Sequence, residues 1–166
     1  MISSISVYKK IKKKILSQVY PAGFHLKEVM LSKLFKTTRT PLREAICKLE
    51  KEGLVKIIPN KGAFVVKLSE KEIKDLFEVR EALEVKAGLL SIERASKEQL
   101  FEIKHSLENR EMLFKENKLK NYRVPQMDFH LSMIKLAKNS ALVSCWKSLN
   151  IKLSLIRITS AMHDNR

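Results

Sequence analysis

The sequence predicts a mainly α-helical protein in which three short helices and a β-hairpin precede an antiparallel bundle of longer helices. Apolar residues recur at helical spacing through most of the 166 residues. Two β-prone runs separated by a turn interrupt this pattern between residues 54 and 67. Charge is also unevenly distributed along the chain. We therefore expect one domain over residues 1–68 and a second over residues 69–166.

Basic residues are concentrated in the first of these parts. Residues 1–68 hold 15 basic and 4 acidic residues, a net charge of +11, whereas residues 69–166 hold 18 and 14. This excess is typical of modules that bind polyanions; a compositional preference for lysine is the alternative. Cys47 and Cys145 are too far apart to suggest a metal or redox pair, and no long apolar run is present. We expect a cytoplasmic protein without membrane association.

The first two predicted helices differ in their exposed faces. Between Ser6 and Tyr20, an apolar stripe is opposed by a dense group of lysines that includes Lys9 and Lys14. The stripe is narrow and lacks interfacial Trp or Phe, so a phosphate backbone is favoured over a membrane surface. A break and a short extended piece follow, and a second helix is predicted over residues 27–35. Its expected apolar residues are Val29, Met30, Leu31 and Leu34.

The third predicted helix has an apolar side formed by Leu42, Ala45, Ile46 and Leu49. Thr38 or Thr40 is placed to cap its N-terminus, and Gly53 to end it. Arg39 and Arg43 stand four residues apart near its beginning. Two short helices joined by a tight connection form a helix-turn-helix, whose second helix presents its N-terminal residues to DNA. The alternative is that the two arginines form surface ion pairs with Glu44 or Glu50.

A β-hairpin is predicted directly after this helix. The runs over residues 54–58 and 63–67 are β-prone, and Pro59-Asn60-Lys61-Gly62 has turn chemistry. A basic hairpin tip in this position is a wing. Lys61 is placed to reach the DNA backbone or minor groove, and Gly62 permits close approach.

Residues 5–68 resemble the winged-helix domain of GntR-family bacterial transcription regulators. The resemblance is carried by TRTPLREAI, LEKEGLV and PNKGAFV. The following run, LSEKEIKDLFEVREALEVKAGLLSIERAS, resembles the start of the all-helical FCD effector domain of the FadR subgroup. The resemblance implies a homodimeric repressor of a metabolic operon, bound to a palindromic double-stranded operator. It implies DNA contacts by Thr38, Arg39, Thr40, Arg43, Lys61 and Gly62.

In the second part, Ser69 and Glu72 have the spacing of a capping box. An apolar stripe follows, formed by Ile73, Leu76, Phe77, Leu83, Ala87 and Leu90. Arg80 and Glu84 fall near the middle of this stripe, where charge is unfavourable unless it is partnered or used. One interpretation is a mutual salt bridge at a domain or dimer seam. The other, supported by the resemblance, is that Arg80 faces a pocket for a small organic acid, with Glu84 and His130 also in the site.

His130 is expected to point inward from a helix over residues 126–138. The resemblance implies that many such domains bind a divalent metal, Zn²⁺ or Ni²⁺, using an Asp four residues before this His. That position is Gln126 here, and Asp128 projects to the opposite side of the helix. His163 is expected in a loop. We therefore interpret His130 as a core or pocket histidine first and a metal ligand second.

The last predicted helix, over residues 141–162, carries a broad apolar side formed by Leu142, Cys145, Trp146, Leu149, Leu153 and Ile156. The closing helices of the family pattern would lie beyond Arg166, so we expect an incomplete effector domain. The alternative function is accordingly a vestigial DNA-binding dimer that responds to neither effector nor metal. An enzyme is not expected, because no nucleophile–base set and no glycine-rich phosphate loop is found.

Overall fold

The computed structural model describes residues 3–115 and 126–163. This part of the chain contains seven helices and one two-stranded sheet. In order they are α1 (Ser4–Leu16), α2 (Glu28–Phe35), α3 (Arg39–Lys51), β1 (Val55–Ile58), β2 (Gly62–Val65), α4 (Glu70–Arg94), α5 (Lys97–Lys115), α6 (Gln126–Leu136) and α7 (Ser140–His163). The mainly helical fold class, with three helices and a hairpin before a helical region, is confirmed.

The chain divides into two compact units. The first runs to Leu76 and includes the C-terminal part of α7 from Ser148, and the second is Phe77–Lys147. Helices α4 and α7 therefore contribute to both units. The domain boundary between residues 68 and 69 stays a prediction.

The core of the first unit is formed by α1, α2, α3, the hairpin and one residue of α7. Its buried apolar members are Val7, Ile11, Ile15, Tyr20, Leu26, Leu31, Phe35, Leu42, Ala45, Ile46, Leu49, Leu54, Val55, Ala63, Val65 and Leu155. All four residues predicted on the inner face of α3 belong to it. Burial of a Leu or Ile side chain contributes about 1.5–3 kcal/mol, so this core determines how α2 and α3 are held.

Two expectations about the first helices are wrong in detail. Helix α1 ends at Leu16 rather than at Tyr20, because Gln18 adopts a left-handed conformation (φ 59°) and the Tyr20 N–H bonds back to Lys14 O at 3.0 Å. On α2, Val29, Met30 and Leu34 are exposed. A helix of eight residues contacts the core along one narrow stripe, and that stripe is Leu31 and Phe35.

The predicted hairpin is present, with β1 and β2 antiparallel and Val55 opposite Val65. The preceding segment adds to its edge, because Leu26 N–H donates to Ala63 O at 2.8 Å and Val65 N–H donates to Phe24 O at 2.9 Å. Before the hairpin, Gly53 ends α3 with a left-handed backbone (φ 72°), as the sequence indicated. The hairpin is thus joined to the rest of the first unit by α3, which precedes it, and by the segment that contains Phe24 and Leu26.

The second unit has its own core between α4, α6 and α7. The buried apolar residues are Ala87, Leu90, Ile134, Ala137, Leu142 and Trp146. Two residues predicted on inner faces lie outside: Phe77 is 46% exposed and Cys145 is exposed. Helix α7 continues to His163, so the loop expected there is wrong. Among the described residues, no helix is both long and apolar enough to cross a membrane.

Candidate nucleic-acid interface

Helix α3 has one buried and one exposed face, as its sequence predicted. Leu42, Ala45, Ile46 and Leu49 are buried, while Arg39, Thr40 and Arg43 are exposed. Thr38 is the N-cap with an extended backbone, but its side chain makes no capping hydrogen bond to the described backbone of α3. Thr38 itself is exposed. The N-terminal end of α3 therefore presents two hydroxyls, two guanidinium groups and the positive end of the helix dipole.

A short turn sets the direction of α3 relative to α2. Lys36 is left-handed (φ 49°, ψ 51°), its N–H donates to Lys33 O, and Thr37 N–H donates to Ser32 O at 3.1 Å. These bonds satisfy the last carbonyls of α2 and allow α3 to begin three residues later. Because both helices are anchored in the same core, the exposed end of α3 has a defined position within its unit.

The tip of the hairpin supplies the wing residues. Lys61 and Gly62 are exposed, and Lys61 N–H donates to Ile58 O at 3.0 Å. Asn60 (φ 60°) and Gly62 (φ 98°) have positive φ angles, which make the turn tight. Glu50 joins the hairpin to α3, because its Oε1 accepts from Ile57 N–H at 2.8 Å. The hairpin and α3 therefore belong to one packed body.

Arg43 has an ion-pair partner that the sequence did not indicate. Its Nε donates to Glu28 Oε1 at 2.8 Å, from the first residue of α2. The expected alternative partners were Glu44 and Glu50, and neither forms this pair. The hydrogen bond to Glu28 raises the pKa of Arg43, which is charged in any case at neutral pH. Among the described residues, Arg39 has no ion pair.

The exposed side of α1 adds to the positive surface of this unit. Lys9, Lys10 and Lys13 are exposed, whereas Val7, Ile11 and Ile15 are fully buried. Lys12 is different, because its Nζ lies 2.8 Å from Glu52 Oε2 at the end of α3. Helix α1 therefore presents its lysines outward and is tied to α3 on its inner edge. A surface of this charge attracts a polyanion over about a Debye length of 10 Å.

In the second unit, the predicted residues Arg80, Glu84 and His130 are brought together. Glu84 Oε1 lies 2.7 Å from Arg80 Nε, 3.1 Å from Trp146 Nε1 and 3.1 Å from His130 Nδ1. Arg80 is only 8% exposed. The salt bridge expected between Arg80 and Glu84 is present, and the Trp146 hydrogen bond was missed. Indole N–H groups usually find a hydrogen-bond acceptor when buried, but nothing in the sequence identified Glu84 as the acceptor for Trp146.

The residues described around His130 do not fit a metal site. No group of three or more His, Cys, Asp or Glu side chains lies close enough to hold an ion within the described part of the chain. Glu84, the carboxylate beside His130, already forms an ion pair with the cationic Arg80. A neighbouring guanidinium opposes a divalent ion at that carboxylate. The side chains of Gln126, Asp128 and His163 lie outside the described residues.

Comparison with known proteins assigns the chain to a family. Residues 4–65 match the model for bacterial regulatory proteins of the gntR family, and residues 75–166 match the FCD domain model. The chain belongs to the GntR family of regulators. It is 27% identical over 164 residues to the HTH-type transcriptional regulator YdhC of Bacillus subtilis, covering 98% of this chain and 73% of YdhC.

Further relatives agree with this GntR-family assignment. The HTH-type transcriptional repressor RspR of Escherichia coli is 22% identical over 160 residues, which cover 96% of this chain and 69% of RspR. A solved GntR structure from Rhodococcus matches with a TM-score of 0.70 and 20% identity, covering 92% of this chain and 73% of that one. This structural likeness shows the fold. The matching domains and relatives are transcription regulators, so this GntR-family protein is a DNA-binding regulator and not an enzyme.

Proposed function

We propose that this regulator binds a palindromic operator as a homodimer, with the N-terminal end of α3 in the major groove and the wing beside the minor groove. The observation that carries the proposal is the two-sided character of α3. Four buried apolar residues hold the helix, while Thr38, Arg39, Thr40 and Arg43 are exposed together at its N-terminal end. Lys61 and Gly62 are exposed on the same unit. Recognition helices contact base edges with these N-terminal residues.

Operator selection in vitro followed by footprinting tests these contacts. Arg39→Ala or Arg43→Ala should weaken operator binding and relax the preference at one base pair, by roughly 10–100-fold, because a bidentate arginine–guanine contact contributes about 1–3 kcal/mol. Arg39→Lys is the matched variant, since it keeps the charge but loses the planar fork. It should lose the base preference and keep the salt dependence. Wild-type binding by both alanine variants would contradict the assignment.

Lys61→Ala tests the wing separately. A lysine that contacts a phosphate should weaken binding to all sequences about equally and lower the salt slope by about one. Lys104→Ala on α5 is the control, because it removes the same charge from a side chain that is 71% exposed in the other unit. Equal effects of the two substitutions would argue against a wing contact.

The homodimer is supported by an apolar stripe on the exposed side of α4. Val85, Leu89 and Ile92 are 58%, 54% and 72% exposed, and with Ala82 they follow 3-4-3 spacing. A second copy of this chain would cover such a stripe in the manner of a helix–helix seam. Leu89→Glu should give a monomer in sedimentation. It should weaken binding to the full palindrome and leave binding to a single half-site unchanged.

We further propose that a small carboxylate binds at the cluster of Arg80, Glu84 and His130 and that the protein acts as a repressor in the cytoplasm. Arg80 is a buried cation, and a carboxylate ligand would compete with Glu84 for its guanidinium. The relative RspR is named a repressor. Trp146 is the single tryptophan of the chain and donates to Glu84, so its fluorescence reports on this cluster.

A panel of small carboxylates and their neutral amides tests the effector site. A true effector should change Trp146 emission and stabilise the fold by about 2.7 kcal/mol at 100 times its Kd, whereas its amide should not. Arg80→Met should abolish both responses. If no acid in the panel stabilises the protein, the dimer without effector response becomes the better account. Metal analysis of the purified protein tests for stoichiometric Zn²⁺ or Ni²⁺.

A further inference from the structure

The ion pair between Glu28 and Arg43 crosses from α2 to the recognition helix. Arg43 Nε donates to Glu28 Oε1 at 2.8 Å, and the two side chains are 63% and 35% exposed. Both also line a cleft of about 290 Å³ between α3 and the hairpin, next to Gly62. The pair therefore lies on the surface that the proposed operator would cover.

Each end of the pair is held by a packed helix. Glu28 is the first residue of α2, where an acidic side chain is favoured by the helix dipole, and α2 is anchored by Leu31 and Phe35. Arg43 follows the fully buried Leu42. The carboxylate therefore has a defined position relative to α3 before any DNA is bound.

The hydrogen bond occupies only part of the guanidinium. An arginine has five N–H donors in a planar fork, and the bond to Glu28 uses the Nε–H. The Nη groups, which reach guanine O6 and N7 in a bidentate contact, remain for a base. A long side chain that is already oriented loses less rotational freedom on binding than one that moves freely.

We propose that Glu28 is a positioning residue for Arg43 and thereby sets the base preference of the recognition helix. The inference rests on the proposed DNA-binding role of Arg43. Glu28 touches no base in this scheme; it orients the plane of the guanidinium from the side. It contributes to specificity although it carries the charge that DNA phosphates repel.

Because Glu28 has the same charge as DNA, a positioning role and a purely electrostatic role predict opposite changes in operator affinity when Glu28 is removed. If Glu28 acted only as a negative charge near DNA, or only competed with DNA for Arg43, its removal would strengthen binding to every sequence. If it positions Arg43, its removal weakens binding to the preferred operator and flattens the preference at one base pair. The two accounts therefore predict opposite changes for the cognate site.

The experiment uses the full chain as wild type, Glu28→Gln, Glu44→Gln, Arg43→Ala and the double variant Glu28→Gln/Arg43→Ala. Glu44→Gln is the matched control, because Glu44 is exposed on α3 and has no ion pair among the described residues. Binding is measured on the selected operator, on operators with every single base-pair change, and on random DNA. Circular dichroism and thermal unfolding establish that each variant is folded.

Glu28→Gln should lose about tenfold in affinity for the operator, while its binding to random DNA is equal or stronger. The base pair at which Glu28→Gln loses its preference should be the same base pair at which Arg43→Ala loses it. The double variant should lose no more preference than Arg43→Ala. Glu28→Asp, which keeps the carboxylate, should recover part of the preference, and Glu44→Gln should keep the wild-type profile.

A Glu28→Gln profile identical to wild type would overturn the positioning role, as would tighter binding to the cognate operator. Arg43→Ala with the wild-type preference would overturn the base-reading role of Arg43 as well. These failures are distinguishable, because the first leaves the Arg43→Ala effect intact and the second removes it.

Discussion

His25 lies directly against Gly62 at the tip of the wing. A Cβ atom built on residue 62 would stand 2.8 Å from His25 Nε2. The imidazole is also stacked on Phe64, with ring centroids 4.4 Å apart. The backbone of Gly62 has a φ of +98°, a conformation that residues with a side chain rarely adopt. Two independent features therefore require glycine at this position.

Gly62→Ala should lower the free energy of unfolding by about 1–3 kcal/mol, because strained backbone and the displaced His25 ring add. Denaturant unfolding measures this change. Gly23→Ala is the control, since Gly23 also has a positive φ (+81°) but nothing within 4 Å of an added Cβ. The double variant His25→Ala/Gly62→Ala should recover only the part of the lost unfolding free energy that comes from the contact with the His25 ring. Equal effects at Gly23 and Gly62 would show that His25 is not involved.

Helices α1 and α3 are tied by a polar network around Glu52. Tyr8 OH donates to Glu52 Oε1, and Lys12 Nζ lies 2.8 Å from Glu52 Oε2. Burial alone would lower the pKa of Lys12, but the hydrogen bond to Glu52 and its charge outweigh burial and raise it above the usual 10.5. Burial and the bond to Glu52 raise the pKa of Tyr8 above 10.0.

Glu52→Gln should therefore destabilise the protein by about 1 kcal/mol at neutral pH. Both raised pKa values mean that the stabilisation present at neutral pH persists to about pH 10 and is lost as the pH rises through the folded-state values. The difference between wild type and Glu52→Gln should narrow above pH 10. Urea unfolding at several pH values measures it. A difference that stays constant across this range would contradict the coupling.

The start of α4 carries a capping box with a second pH dependence. Ser69 N–H donates to Glu72 Oε2 at 2.8 Å, and Glu72 N–H donates to Ser69 Oγ at 3.3 Å. Hydrogen bonds from the Ser69 side chain and backbone hold the pKa of Glu72 below its usual 4.5.

Ser69→Ala should lower Tm by roughly 2–4 °C at neutral pH. Because the folded-state pKa is depressed, the stabilisation is present above pH 4.5 and is lost as the pH falls through the lower value. The Tm difference should therefore shrink in acid. Ser96 makes a similar box with Gln99, but its side chain also lowers the pKa of Glu98, so the Tm difference of Ser96→Ala should shrink in acid as well. A Tm difference for Ser69→Ala that stays constant in acid would contradict the coupling to Glu72.

Local patterns in the sequence predicted most of the first unit. The stripe of α3, the glycine that ends it, the hairpin and the Ser69–Glu72 box each depend on residues within a few positions of one another. The failures on α2 have a common cause. Periodicity shows that Val29 and Leu34 are apolar, but not how much of an eight-residue helix a small core can cover.

Contacts between distant segments were not predictable in the same way. Glu28 lies 15 residues before Arg43, and Trp146 lies 62 residues after Glu84. No spacing rule links such pairs, because their proximity depends on how whole helices pack. The inward position of Arg80 was predictable from the stripe around it, whereas the identity of every donor to Glu84 was not.

The shared carboxylate of Glu84 gives the last prediction. Glu84→Ala leaves Arg80, which is 8% exposed, without its carboxylate, and should destabilise the protein by about 3 kcal/mol. Trp146→Phe keeps the ring in the core but removes one donor to Glu84, which should lower stability by about 1 kcal/mol. Glu81→Ala, at an exposed position of α4, should stay within about 0.5 kcal/mol of wild type.

The double variant Arg80→Met/Glu84→Ala then separates stability from function. A buried ion pair can often be replaced by apolar side chains with little loss, so this variant should recover most of the stability lost in Glu84→Ala. It should not recover any stabilisation by a carboxylate, because the guanidinium is gone. Recovery of the fold without the ligand response would mean that the charged pair is needed for ligand binding. Failure to recover stability would instead mean that α4 and α7 depend on the pair for their packing.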